Sequence, residues 1–304
     1  VPSQRYWMGK QISYNGTPIV RGENGTYSFT MPAANVTVTA EFAECTHETY
    51  NYGKNDAGSI HNWMCAECGK VSTEAHKAPD ADGKCICGLK LVAKVEFGDT
   101  TTYHATLKEL EAPGCFGTLT LLADCSYDGD AILFKAQENV IDLNGHTLES
   151  RSFLMGEHGT LTITGSGTVK GGGITGVEDF EKLIIGAKVN LEGTNGYELN
   201  FQGGMFDLTQ ATIPENGWRI RARNSGGGYG AYPTTFGFDD DCDVKLRDGY
   251  AAFNTEGNVV AEAAYDTIVT IKAHPKHDYV DGVCGCGEVC DHVIDNDGEC
   301  ACGK

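Results

Sequence analysis

The sequence predicts a mainly β protein: a coiled parallel β-helix with a short N-terminal helical cap, flanked by small metal-stapled Cys/His modules and preceded by a short β segment. Three observations predict it. From Gly117 onward, four consecutive segments of 22, 21, 22 and 22 residues resemble one another. Ten of the 13 cysteines fall in two short clusters, at 45–87 and 284–302, each interspersed with histidine. The opening residues alternate apolar and polar side chains between Gly, Asn and Pro. These features divide the 304 residues into 1–43, 44–88, 89–272 and 273–304, a length sufficient for two or three folded units and at least one real core.

In 1–43, Tyr27, Phe29 and Met31 share one face of a run, and Val36, Val38, Ala40 and Phe42 follow in the next. Gly16, Gly22 and Gly25 punctuate these runs. Period-two alternation between such breakers is strand chemistry, so Pro32-Ala33-Ala34-Asn35 is the expected turn between two strands. The wording YSFTMPAANVTVTAEF resembles the last two strands of the bacterial Ig-like, InlB B-repeat modules of Gram-positive surface proteins. The match covers about half of such a module, and a generic hairpin with no binding role is the plainer reading.

In 44–88 the cluster reads Cys45-x-His47, His61-x3-Cys65-x2-Cys68-Gly69 and His76-x8-Cys85-x-Cys87-Gly88. In 273–304 it reads His274-x2-His277-x6-Cys284-x-Cys286-Gly287 and Cys290-x-His292-x7-Cys300-x-Cys302-Gly303. One motif recurs as HKAPDADGKCICG, HDYVDGVCGCG and HVIDNDGECACG: a His, an Asp-Gly turn, then a Cys-x-Cys-Gly hook. Tetrahedral zinc takes four thiolate or imidazole ligands, usually as two close pairs. Cys65-x2-Cys68-Gly is a zinc-knuckle spacing that Cys45 and His47 would complete, and Cys290, His292, Cys300 and Cys302 form a full set by themselves. His76 with Cys85 and Cys87, and His277 with Cys284 and Cys286, each need a fourth ligand, for which His61 and His274 are the nearest candidates. Disulfides are the rival reading, favoured in an exported chain. Recurring histidines, the strain of a closed Cys-x-Cys ring and the absence of a core in so short a module weigh for structural zinc. The Asp-Gly turns at 80–83 and 295–298 lack a calcium loop's remaining oxygen ligands and read as Asx turns.

In 89–272 the repeats are 117–138, 139–159, 160–181 and 182–203, with Leu121, Leu143, Ile163 and Ile185 in register at steps of 22, 20 and 22. Short β-branched runs broken by Gly and Asn at that period are what a parallel β-helix requires, because each coil buries its inner face only against the next. Asn144-Gly145 and Asn195-Gly196 supply left-handed corner conformations. Leu107, Leu110 and Ala112 have helical spacing, so residues 104–113 are expected as a short helix plugging the open end. The block GTLTLLADC…VIDLNGHTL…GTLTITGSGTV resembles the pectin-lyase-like right-handed β-helix domains of secreted and surface proteins from anaerobic gut Firmicutes. That resemblance implies a fold and no particular activity.

Glycosidases and lyases of that family carry clustered Asp residues with a Gly-His-Gly and an Arg-x-Lys element, or calcium-binding acids beside a basic residue. Asp142 with His146, Glu157 with His158, and the run Asp239, Asp240, Asp241 and Asp243 come nearest, and none reproduces either pattern. Arg219 and Arg221 alternate with Trp218 and Ile220, and one repeat of 22 places them against Asp241 and Asp243 as a structural ladder. The functional alternative is a sugar- or calcium-binding strip at Arg219 and Arg221, bordered by Trp218, Tyr229 and Tyr232. Cys115, Cys125 and Cys242 read as buried small apolar residues, with a Cys115–Cys125 pair as the alternative.

Acidic residues outnumber basic ones 42 to 23, a formal charge of −19, which repels phosphate backbones and anionic lipid. No run of about 18 apolar residues suggests a membrane span. The expectation is therefore a monomeric, secreted or wall-attached scaffold of the adhesin type, stapled by zinc and contacting glycans or host proteins, with no nucleic-acid or membrane partner. The alternative is a polysaccharide lyase or glycosidase using Asp239, Asp241 and Asp243 with Arg219 or Arg221.

Overall fold

A computed structural model describes residues 7–23, 26–54, 58–108, 117–127, 132–134, 138–150, 153–155, 159–171, 174–175, 182–225, 230–274, 279–280 and 283–284. Among them every named element is a strand and none is an α-helix.

The centre is a β-solenoid of four coils, each laying one strand on each of three faces. The first coil uses Thr118–Leu121, Cys125–Tyr127 and Ile132–Phe134, and the second Glu138–Asp142, Thr147–Ser150 and Phe153–Met155. The third uses Thr160–Thr164, Gly167–Gly171 and Ile174–Thr175, and the fourth Lys182–Ile185, Val189–Gly193 and Leu199–Phe201. Within each face, successive strands pair in parallel. The sequence register needs one correction: Ile141, not Leu143, aligns with Ile163 and Ile185, and Leu119, not Leu121, completes the column. The repeat is therefore an even 22 residues along this column. A side-chain period of two explains why the shifted alignment still looked apolar: Leu121, at the end of its strand, and Leu143, one residue past the end of its own, are the next inward residues, and all of these side chains are buried.

The corners follow from the Asn-Gly pairs. Asn144 and Gly145 have φ of 47° and 87°, and the Asn144 side chain donates to the Leu121 carbonyl of the preceding coil at 2.9 Å. At the equivalent corner one coil on, Gly165 has φ of 75° and a Cβ there would sit 2.9 Å from the Asn144 nitrogen and collide with the Asp142 carboxylate. Gly165→Ala is expected to cost about 1–3 kcal/mol from backbone strain alone, read as a fall in denaturation midpoint; an unchanged midpoint would show that the corner relaxes freely.

The lower end is closed by an antiparallel hairpin, Ala93–Phe97 with Thr100–His104, whose first strand runs against Thr118–Leu121 and places Ala93 opposite Leu121. His104 therefore ends a strand, where the sequence suggested the start of a helix; residues 109–113 lie outside the described residues. Beyond the fourth coil, two faces continue. Met205–Asp207 extends the first, followed by Val244–Lys245 and Thr234–Gly237. Trp218–Ala222 extends the third and then meets Thr267–Ala273 running antiparallel.

Lys182, at the start of the fourth coil, reaches Asp207 at 2.7 Å, and Thr209 donates its hydroxyl to the same carboxylate at 2.6 Å. Burial raises the Asp207 pKa, but the bonds from Lys182 and Thr209 outweigh it and hold the carboxyl below the usual range. A lowered folded-state pKa contributes stability that is present above the unfolded value and lost as pH falls through the folded one. Asp207→Asn is accordingly expected to lose about 1–3 kcal/mol at neutral pH, and the gap to the unsubstituted chain should close below about pH 4. A gap independent of pH would exclude the ionic account.

In the opening segment, Trp7–Tyr14 is the central strand of a three-stranded antiparallel sheet, between Thr17–Ile19 and Val38–Glu44. This corrects the expected pairing of 27–31 with 36–42: Val38–Glu44 pairs with Trp7–Tyr14, and Tyr27 makes only an isolated bridge to Arg21. Asn15-Gly16, with φ of 45° and 79°, forms the tight turn. An Asn-Gly dipeptide between alternating runs is a strong hairpin signal, and it was present in the sequence.

Candidate metal centre

Residues 44–91 contain a three-stranded antiparallel sheet, Tyr50–Gly53, Ile60–Cys65 and Val71–Ala75. On the central strand the period-two alternation puts His61, Trp63 and Cys65 on one side. After Cys65 the chain doubles back: the Cys65 carbonyl accepts from Gly69 at 3.0 Å, and Gly69 is left-handed at φ 74°. The Cys85 hook repeats this, with Gly88 donating to Cys85 at 2.7 Å and adopting φ 82°. Each Gly lets a tight turn aim two sulfurs the same way. Asp80 accepts from the amides of Asp82 and Lys84 at 2.9 Å, the expected Asx turn ahead of the second hook.

Two four-residue groups result. Cys45, His47, Cys65 and Cys68 form one, and His61, His76, Cys85 and Cys87 the other; in each, the four ligand atoms lie within 4.8 Å of one another. An ion bound tetrahedrally at 2.0–2.3 Å separates its ligand atoms by about 3.3–3.8 Å. In the first group the Cys45 and Cys65 sulfurs are 3.5 Å apart and the Cys68 sulfur is 3.4 Å from His47 Nδ1. In the second, His61 and His76 Nδ1 are 3.2 Å apart, with Cys85 Sγ 3.3 Å from His61 and Cys87 Sγ 3.8 Å from His76. These spacings fit a shared cation and exceed the roughly 2.05 Å of a disulfide. The donor sets, Cys3His and Cys2His2, supply four protein ligands each and so could close the coordination of a metal ion.

At the first group the two buried sulfurs shift in opposite directions, and only Cys65 favours the thiolate. Burial pushes the Cys45 thiol up to about 12. It also raises Cys65, but the amides of Cys68 and Glu67 and the His47 ring stabilise that thiolate, and its pKa falls to about 6. At the second group, His61 turns its other nitrogen to Glu74, with Nε2 to Oε1 at 3.0 Å, the arrangement by which a carboxylate fixes the tautomer of a metal-ligating histidine. Tyr52 packs edge-on against the same ring, centroids 5.2 Å apart. Glu74 and Tyr52 were not recognisable from spacing: Glu74 faces His61 only because Ile60–Cys65 and Val71–Ala75 pair in that register.

The sequence grouped Cys45 and His47 with Cys65 and Cys68, and His76, Cys85 and Cys87 with His61; the structure brings together the same sets. His274 stacks on Phe253, centroids 5.9 Å apart, and Cys284 lies in a two-residue strand pairing with Tyr279–Val280. His277, Cys286, Cys290, His292, Cys300 and Cys302 lie outside the described residues. Cys125 is partly buried against the solenoid core, and burial pushes its thiol up to about 12. Cys242 is also partly buried, and both are free thiols; Cys115 lies outside the described residues.

On the solenoid, the ladder partners differ from expectation. Trp218, Ile220 and Ala222 are buried, and Trp218 is only 1% exposed, so its ring is not available to stack on a sugar. Arg219 forms a forked pair with Glu198, at 2.8 and 3.3 Å, and Arg221 reaches Asp266 at 2.6 Å while lying over the Tyr197 ring. Neither meets Asp241 or Asp243. Trp218–Ala222 belongs to the third face whereas Val244–Lys245 belongs to the first, so counting 22 residues forward lands on a different side of the coil. Asp243 instead accepts from the Thr235 amide and hydroxyl at 2.7 and 3.0 Å, and Asp240 pairs with Lys245 at 2.7 Å. Asp239 and Asp241 are exposed, as is Tyr232; Tyr229 lies outside the described residues.

No protein-family model, curated protein or solved structure matches the chain. Among the described residues, no helix is long and apolar enough to cross a membrane.

Proposed function

We propose that the chain is a non-enzymatic scaffold, secreted or attached to a bacterial cell wall, that presents a ligand-contacting surface on a short β-solenoid and uses structural zinc to hold the module at its start. The single observation that carries this reading is the pair of closed four-ligand groups, the second of which packs against the solenoid's lower end. Cys85, Cys87 and Leu91 share a cluster with Tyr103, Ala105 and Leu122, and the Ala105 amide donates to the Gly58 carbonyl at 2.8 Å. Four protein ligands leave no position for substrate, which is the mark of a structural rather than a catalytic ion, and mixed thiolate and imidazole donors favour zinc. The coil is read as right-handed and the opening sheet as part of an Ig-like module on the motifs quoted above.

The lyase or glycosidase alternative is weakened by the engagement of its residues: Arg219 and Arg221 are paired with Glu198 and Asp266, and Asp243 with Thr235. Glycan or host-protein contact is assigned to the outer surface near Arg219, Arg221 and Tyr232. Two assays of the full chain test this. A glycan array should detect binding that Tyr232→Ala reduces, and a depolymerisation assay on pectic and mucin glycans should give no turnover. Turnover abolished by Asp241→Asn would overturn the scaffold reading in favour of the enzyme.

A further inference from the structure

The two Cys/His groups are interleaved along the chain. The first takes Cys45, His47, Cys65 and Cys68, and the second begins with His61, between the two halves of the first, before adding His76, Cys85 and Cys87. A single strand, Ile60–Cys65, therefore ends in a ligand of one group and carries a ligand of the other, His61, at its second position. The strand is fixed on both edges, with Tyr50 opposite Cys65 and Glu74 opposite His61. Closing the first group brings 45–47 to 65–68 and fixes the strand that carries His61. Closing the second fixes the same strand, and with it the position of Cys65. Whichever ion binds first orders backbone that the other would otherwise have to order itself, and a second ligand binding to an already ordered segment binds more tightly. By linkage the effect is mutual.

We propose that the two groups fill as one cooperative unit, so that a ligand lost from either one weakens metal binding at both. This rests on the reading of the clusters as metal sites. The apolar surroundings support it further. Among the described residues of 44–91, the buried apolar side chains are Cys45, Cys65, Cys85, Cys87 and Leu91, four of them ligands, so these residues supply no core independent of the ligands to hold the strand in place when an ion leaves.

The test uses the full chain and zinc as the probe, with protection of individual cysteines from alkylation mapped by peptide mass spectrometry at a series of buffered free zinc concentrations. Cys45→Ser damages only the first group and is read at Cys85; Cys87→Ser damages only the second and is read at Cys65. Met64→Ser, an exposed non-ligand on the shared strand, is the control and should leave all protection as in the unsubstituted chain. Cooperative filling predicts that, in each ligand variant, protection at the intact group requires about tenfold or more free zinc but is recovered at saturation. Protection of the intact group at the same zinc concentration as in the unsubstituted chain would overturn the proposal, and so would failure to recover it at any concentration. Absence of zinc-dependent protection in the unsubstituted chain would overturn the metal reading itself, separating that failure from independence of the two sites.

Discussion

Stripping zinc from the full chain with a chelator is expected to unfold residues 44–91 and to expose the first solenoid coil, while the coils from Glu138 onward retain slow hydrogen exchange. The effect should be large because, among the described residues of that module, four of the five buried apolar side chains are the candidate ligands themselves. With the ion gone, four polar sulfurs and two imidazoles would have to remain buried together without a charge to satisfy them. Structural zinc contributes about 10–16 kcal/mol to folding in comparable small modules, far more than Leu91 and its neighbours can supply. The first coil should feel the loss because Leu122, directly after its first strand, packs in the same cluster as Cys85 and Cys87. Exchange mass spectrometry with and without chelator measures this. Unchanged protection across 44–91 would mean that the module folds without metal.

The second large effect is expected from Ile163→Ala. Ile163 is fully buried and aligns with Ile141 below and Ile185 above, so its side chain fills the column between two coils. Truncation leaves a void that neighbours held in parallel ladders on both sides cannot collapse into, and a loss of about 2–5 kcal/mol follows. Thr162, one residue earlier, points to the other face of the sheet, and Thr162→Ala should stay within about 0.5 kcal/mol. Chemical denaturation followed by circular dichroism compares the pair. Equal losses would show that Ile163 does not face the coil interior, and the stacking register would have to be redrawn.

The solenoid was legible because its signal is periodic: apolar residues in Leu119, Ile141, Ile163 and Ile185 recur with the coil itself, and Asn144-Gly145 marks a corner by backbone chemistry. The metal groups were legible because ligand chemistry restricts them to Cys and His at short spacings, so Cys45, His47, Cys65 and Cys68 could be grouped without knowing the fold. What failed depended on long-range pairing. The Arg219 and Arg221 partners lie at Glu198 and Asp266, one on the preceding coil and one in the turn that leads into a returning strand, and no count along the chain finds the second of these. The pairing of Val38–Glu44 with Trp7–Tyr14 failed for the same reason: alternation identifies a strand without naming its neighbour.

At each exit of the stack one face is finished by a strand that runs backwards, Ala93–Phe97 against Thr118–Leu121 on the first face at one end and Thr267–Ala273 against Trp218–Ala222 on the third face at the other. A reversed strand offers the wrong hydrogen-bond pattern for another parallel turn, so those two closed faces give identical molecules no template for joining head to tail into fibres. It also dictates how such a protein can lengthen over evolutionary time. New turns must be inserted whole between the existing terminators by internal duplication, each adding about 4.8 Å, while the two closures are inherited unchanged.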